Sequence, residues 1–159
     1  YTMHKSMHNI FNRKIFDITF NKDFYQVITT CKNIYRRDQQ GTWISDEIVE
    51  AYTRLHEMGL ARSVEVWQNK KLVGGLYGVD IGNGIFCGES MFSKVSNASK
   101  VAFYTLLQDL KEKDYLLLDC QVYNEHLESL GAYEIPRSEY MKYLLEGNIR
   151  LRIKKMKAS

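Results

Sequence analysis

Arg62-Ser63-Val64-Glu65-Val66-Trp67-Gln68-Asn69-Lys70-Lys71-Leu72-Val73-Gly74-Gly75-Leu76-Tyr77-Gly78-Val79 is the stretch on which the fold class turns. It reads as two extended segments, Arg62 to Gln68 and Lys71 to Val79, joined by Asn69-Lys70 in a hairpin pattern. Gly82-Asn83-Gly84 then turns the chain into a third extended piece, Ile85 to Gly88. Upstream, Lys14 to Phe20 alternates weakly and predicts a strand. Asp23 to Arg37 carries Phe24, Val27, Ile28, Cys31, Ile34 and Tyr35 at helical spacing. A second helix starts near Ser45, whose hydroxyl suits an N-cap, and stops before Gly59.

Downstream, Asn97 is positioned to cap a long amphipathic helix from Ala98 to about Lys113, with Val101, Ala102, Leu106 and Leu110 inward. Tyr115 to Gln121 predicts a strand whose unbroken Leu116-Leu117-Leu118 suits burial on both faces. A short helix ending at Gly131, a strand around Tyr133-Ile135 and a helix from Ser138 to Glu146 complete the pattern. Helices flanking a meander of strands, with no internal repeat or boundary, predict one mixed α/β domain spanning residues 1–159.

Composition narrows the function classes. The 45% hydrophobic and 26% charged fractions over 159 residues are ordinary for a soluble globular domain. Such a domain buries about 70% of its unfolded surface, enough to need no metal or disulfide staple. No apolar run approaches the ~18 residues of a membrane span, and no leader pattern opens the chain. Three cysteines, odd in number and without CxxC spacing, suit a reducing cytoplasm. A net charge of +3 does not by itself identify a nucleic-acid partner. Its distribution says more: Arg150 and Arg152 alternate with apolar residues in the tail, and Lys5, Arg13 and Lys14 add charge at the other end. These are the candidate nucleic-acid contacts, with solvated surface charge as the bland alternative.

Asp119 and Gln121 are the most informative polar pair. Strand alternation puts them on one face and Cys120 on the other, at the end of an apolar strand. A carboxylate there needs partners or a task, and ligands commonly bind at strand ends in α/β sheets; a cap for the next helix is the simpler role. Glu89 precedes Ser90-Met91-Phe92, so it is either a carboxylate against an apolar wall or a surface turn residue. Gly74-Gly75 inside a strand marks a bulge or a close approach by a ligand. Trp43 and Tyr52 default to core packing. His4 and His8 have metal-pair spacing but no third ligand, and Cys120 with His126 reads as a structural thiol rather than a nucleophile. No GxxxxGK[ST] or GxGxxG phosphate loop occurs.

Taken in order, Gly41-Thr42-Trp43-Ile44, Ala51-Tyr52, Leu55-His56, Ser63-Val64-Glu65-Val66-Trp67 and Leu72-Val73-Gly74-Gly75-Leu76-Tyr77-Gly78 resemble the leucyl/phenylalanyl-tRNA–protein transferase family. Gly88-Glu89-Ser90-Met91-Phe92-Ser93, Asn97-Ala98-Ser99-Lys100, Asp119-Cys120-Gln121 and Ser129-Leu130-Gly131-Ala132 extend that resemblance over residues 5 to 146. It implies a fold like the N-acetyltransferase (GNAT) superfamily, a mixed sheet flanked by helices. It also implies transfer of Leu, Phe or Met from aminoacyl-tRNA to proteins with N-terminal Arg or Lys, marking them for degradation. A monomer without metal or organic cofactor is implied as well. Asp119, Gln121 and Glu89 match the family's catalytic residues, and Asn124 a polar residue beside them. Trp43 and Tyr52 match the aromatics that hold the terminal adenosine and ester, while Leu76, Phe86, Met91, Phe103 and Leu106 match the amino-acid pocket.

Three departures accompany the resemblance. The family's small N-terminal domain has no counterpart in the sequence. Arg62 stands where His is common, and Asp80-Ile81-Gly82-Asn83-Gly84 is one residue longer than usual; both are expected at a tolerant strand end or surface turn. An acetyl-coenzyme A N-acetyltransferase and a non-catalytic tRNA or N-degron binding module are the rival readings. The first wants a glycine-rich loop where Asn97-Ala98-Ser99-Lys100 stands.

Overall fold

Alternation in the middle of the chain becomes three long antiparallel strands in a computed structural model, which describes residues 15–34, 44–121 and 124–146. In chain order the elements are β1 (Asp17–Phe20), α1 (Phe24–Asn33), α2 (Asp46–Glu57), β2 (Ala61–Gln68), β3 (Lys71–Gly82), β4 (Ile85–Ser93), α3 (Ala98–Glu112), β5 (Leu117–Asp119) and α4 (Glu125–Ser129). A last helix, α5, spans 137–146. The five strands form one sheet in sequence order, antiparallel throughout except for the parallel β4–β5 pair. This is the mixed α/β architecture expected from the sequence.

Strand alternation divides the core into two layers. Val64 and Val66 of β2 face α3 together with Val73, Phe86, Val101, Ala102 and Leu106. Ala61 and Trp67 face α1 and α2, with Val27, Ile28, Val49, Leu72 and Tyr77. The hairpin turn at Asn69-Lys70 has positive φ at both residues, +51° and +62°, as a two-residue type I′ connection requires. Ser45 caps α2 by accepting from the Ile48 N–H, and Asp23 caps α1 by accepting from Gln26.

Several boundaries differ from the sequence expectation. Helix α1 stops at Asn33, because Ile34 is already extended. Asn97 has φ +69° and makes no side-chain cap; the Ser93 hydroxyl instead accepts from the Ser99 N–H at 3.1 Å. Strand β4 runs on through Glu89 to Ser93, beyond the expected end at Gly88. Strand β5 is three residues long and half-buried, not a doubly buried Tyr115–Gln121 strand. Tyr115 turns away to the β2–β3 side, and Gln121 takes φ +63°, which ends the extended run. Residues 132–136 form no strand, and α5 begins after Pro136, whose carbonyl accepts from the Glu139 and Tyr140 N–H groups.

Gly74 accommodates a close approach, but the approaching group is α3. A Cβ at Gly74 would lie 2.6 Å from Ala98 Cβ, so the glycine lets the helix N-terminus sit on the sheet. Arg62 and Asp80, one from each departure, meet in one network, while Ile81 and Gly82 of the longer turn are exposed. Arg62 donates to Asp109 at 3.3 Å and to the Tyr115 hydroxyl at 3.1 Å, and Tyr115 donates to Asp80. The guanidinium also lies over the Phe86 and Tyr115 rings, 4.9 and 5.4 Å from their centroids. This cluster ties β2 and β3 to the C-terminal end of α3.

Candidate active site

The parallel β4–β5 ladder is short. It pairs Ile85 with Leu117, Phe86 with Leu118 and Cys87 with Asp119, then stops, while β4 continues to Ser93. The strands part there, and the edge of β4 becomes the wall of a cleft. The β3–β4 register explains what that wall presents. Tyr77 pairs with Ser90 and Gly78 with Gly88, so Glu89 is the extra residue of a β-bulge. A bulge bends its strand and re-aims a side chain. It turns Glu89 toward the end of β5, where the Gln121 amide donates to Glu89 Oε1 at 2.9 Å.

Asp119 sets up that contact. Its Oδ1 accepts from the Gln121 backbone N–H at 2.8 Å, closing a tight turn that holds Gln121 in the left-handed region. A non-glycine residue there is strained, and the Asp119 bond offsets part of the cost. The bond to the carboxyl group comes from the Gln121 backbone N–H, so Asp119 holds the backbone that aims the side-chain amide. With its Nε2 committed to Glu89, the amide presents Oε1 as the remaining acceptor. Asp119, Gln121 and Glu89, separated in sequence, are thereby brought together. Asp119 does not cap α4; the Asn124 side chain does, accepting from the Leu127 N–H at 2.8 Å.

Two cavities flank this cluster. One of about 780 Å³ is lined by Leu76, Met91, Phe103, Leu106, Glu89 and Asn124, among others. Four of the five apolar residues expected in an amino-acid pocket therefore share one wall. The fifth, Phe86, is fully buried beneath Arg62 and is not part of the lining. The second cavity, about 720 Å³, is bounded by Asp119, Gln121, Arg137, Tyr140 and Tyr143. The Gln121–Glu89 bond spans the ridge between the two.

Tyr52 reaches the cluster from α2. Its ring packs edge-on against buried Tyr77 at 5.5 Å, and its hydroxyl faces Glu89. Burial, reinforced by Glu89, pushes the phenol up to about 12, so it stays protonated. Cys87 was not among the residues singled out by sequence. Burial first, then Asp119 and Glu89, raise its thiol to about 11. Burial followed by Asp119 does the same for Cys120, which packs against the α3 layer and, because the left-handed Gln121 breaks the expected alternation, also lines both cavities. Neither thiol is a ready nucleophile. At pH 8 only about one thiol in a thousand is ionised at such a pKa, so thiol-specific labelling of Cys87 and Cys120 should be slow. The rate should climb about tenfold per pH unit up to about pH 11; peptide mass mapping over a pH series checks this, and fast labelling at pH 8 would contradict it.

Trp43, Lys5, Arg13, Lys14, Arg150, Arg152 and the His4–His8 pair lie outside the described residues. Among the described residues no group of three His, Cys, Asp or Glu is arranged to hold a metal ion. No described helix is long and apolar enough to cross a membrane.

Comparison with known proteins agrees with this architecture. The sequence profile of the family described as leucyl/phenylalanyl-tRNA protein transferase matches residues 1–145. A leucyl/phenylalanyl-tRNA–protein transferase of Flavobacterium johnsoniae is 62% identical over 140 residues, covering 88% of this chain and 66% of that protein. Its counterpart in Christiangramia forsetii is 52% identical over 142 residues, 89% of this chain and 67% of the relative. One from Thermodesulfovibrio yellowstonii is 48% identical over 146 residues, 92% and 59%. The chain thus spans about two thirds or less of each relative's length. Among solved structures, an aminoglycoside acetyltransferase from a soil metagenome, in complex with trehalose, superposes with a TM-score of 0.59 at 14% identity, covering 77% of this chain and 92% of that one. A possible acetyltransferase from Clostridium difficile gives 0.55 at 17%, covering 77% and 93%. At such identities these two report the acetyltransferase fold and nothing about substrates.

Proposed function

The chain belongs to the leucyl/phenylalanyl-tRNA–protein transferase family, and from that premise we propose that it carries Leu, Phe or Met from aminoacyl-tRNA to the α-amine of proteins beginning with Arg or Lys. The product is a destabilising N-terminus. The observation that supports this reading best is the Glu89–Gln121–Asp119 cluster at the mouth of an apolar cavity, where the β4–β5 ladder stops.

The donor side chain enters the cavity walled by Leu76, Met91, Phe103 and Leu106, leaving its ester at the ridge. The acceptor amine approaches from the side of Asp119 and attacks the ester carbonyl carbon. A C–N bond forms, the ester C–O bond breaks, and the terminal ribose oxygen leaves with a proton. Gln121 Oε1 accepts a hydrogen of the attacking amine, and Glu89 holds an ammonium group of donor or acceptor. The ester is already activated, so placing the two reactants contributes most, about 7–11 kcal/mol. Trp43 and Tyr52 hold the terminal adenosine and the ester. Lys5, Arg13, Lys14, Arg150 and Arg152 contact tRNA phosphates. The three cysteines form no disulfide, and charged tRNA and a reducing cytoplasm suit the reaction.

An acetyl-coenzyme A reading fits the local geometry less well. The first N–H groups of α3 are occupied by its own chain: Ser99 N–H by the Ser93 hydroxyl and Ala98 N–H by the Val95 carbonyl. The test is transfer from charged tRNA to an Arg-initiated peptide, beside labelled acetyl-coenzyme A as donor. Leu and Phe should transfer, Asp should not, and Val should trail Leu by about 10- to 200-fold, since one methylene in an apolar pocket is worth about 1–3 kcal/mol. Equal transfer of Asp and Leu, or acetylation in their place, would refute the reading; tRNA binding without transfer would select a binding module.

A further inference from the structure

Helix α5 brings a second phenol to the carboxyl group that anchors the cluster. The helix starts on the Pro136 carbonyl, which accepts from the Tyr140 N–H at 3.1 Å, and its first turn faces β5 across a shared cavity. Tyr140 and Arg137 line the same cavity as Asp119 and Gln121. Across this shared lining the Tyr140 hydroxyl faces the Asp119 carboxyl group, within reach of a hydrogen bond, while the Cys87 thiol is the other titratable group facing it. Oδ1 of that carboxyl group is already held by the Gln121 backbone N–H. Asp119 is therefore gripped from two elements: its own turn and α5.

We propose that Tyr140 is a positioning residue that fixes the Asp119 carboxyl group, and through it the turn that aims Gln121 at Glu89. The proposal rests on the aminoacyl-transfer reading given above. A carboxyl group at a strand end, held only by the turn that follows it, swings with that turn; a bond from an independent helix removes the freedom. The phenol acts here as a donor. Burial, then Asp119, push Tyr140 above its ordinary value, so it keeps its proton at neutral pH.

Tyr140→Phe deletes the hydroxyl and keeps the ring. It should lower kcat by about 10- to 100-fold, the scale on which a small misplacement of reacting groups acts, with KM nearly unchanged and the thermal midpoint intact. In an Asp119→Asn background the same change should cost nothing more, because the two groups act as a unit. A readout independent of activity is the NMR titration of tyrosine ring carbons, the Tyr140 signal being the one lost in Tyr140→Phe. Asp119→Asn should bring the Tyr140 midpoint down. An unmoved midpoint, an unchanged kcat, an equal loss in both backgrounds, or a rate loss that tracks loss of fold each overturns the proposal. A wild-type chain that transfers nothing overturns the functional reading instead, and the titration alone then decides the Tyr140–Asp119 contact.

Discussion

Asp119→Asn should reduce transfer by about 10²–10⁴-fold, the usual worth of acid–base assistance, without loss of fold. The acceptor amine approaches from the Asp119 side, and it loses the carboxylate charge that favours departure of its proton. The substitution is unusually clean. Asn keeps an Oδ1 acceptor for the Gln121 N–H, so the tight turn survives while the charge is lost. Gln121→Ala removes the amide that reaches Glu89 and the acceptor oxygen together. If Asp119 and Gln121 work as one device, the double variant should be little slower than the worse single one. Both variants should bind tRNA as the wild type does. Cys120→Ala is the comparison: its thiol packs against the α3 layer and touches both cavities as an apolar wall, so the change should cost stability and raise KM modestly without the large loss in kcat. Active Asp119→Asn and Gln121→Ala proteins beside an inactive, well-folded Cys120→Ala would reverse the assignment.

Parts of this site are legible in the sequence because they rest on local chemistry. The β2–β3 hairpin follows from alternation on either side of Asn69-Lys70, and α2 from a Ser45 cap before an apolar stripe. Asp119 stands out as a carboxyl group at the end of an apolar run. What the sequence conceals depends on register and on the shape of single residues. The bulge at Glu89 exists only in the pairing of β4 with β3, which neither strand spells out alone. The left-handed turn at Gln121 carries no glycine to announce it. Three consecutive leucines read as a doubly buried strand, yet β5 is half-buried and short, because the run is continuous whether its faces meet protein or a cavity. Tyr140 is one aromatic among several in a helical pattern, and only the cavity that α5 shares with β5 gives it a partner.

The second large effect is on stability, and it lies at a residue whose strand position says little about its surroundings. Alternation tells only that Ser63, Glu65 and Trp67 share a face of β2. In the structure Glu65 is fully buried on that face, under the β1–α1 connection. Its two oxygens accept from four donors: the Thr19 hydroxyl at 2.6 Å, the Ser63 hydroxyl at 2.5 Å, and the Lys22 and Asp23 backbone N–H groups at 3.2 and 3.5 Å. Thr19 in turn accepts from the Trp67 indole at 2.8 Å. The hydroxyls can rotate to new acceptors when Glu65 is removed, but the backbone groups cannot. A buried donor left unmade costs about 1–3 kcal/mol. Lys22 is exposed and Asp23 half-buried, so water reaches these N–H groups in part. Glu65→Ala should therefore lose about 1–3 kcal/mol, still a sizeable share of the 5–15 kcal/mol typical of a folded domain. Glu65→Gln, which keeps the volume and one acceptor oxygen, should lose less. Denaturant midpoints read at constant m-value test both, and an unchanged midpoint for Glu65→Ala would show that the network carries no stability. The damage should extend to the pocket. The donors at Lys22 and Asp23 open α1, and Ile34 at its other end lines the larger cavity beside Leu76 and Met91. A weakened seat for α1 therefore loosens a wall of the cavity proposed for the donor side chain, and in Glu65→Gln protein that remains folded KM for the charged tRNA should rise before kcat falls.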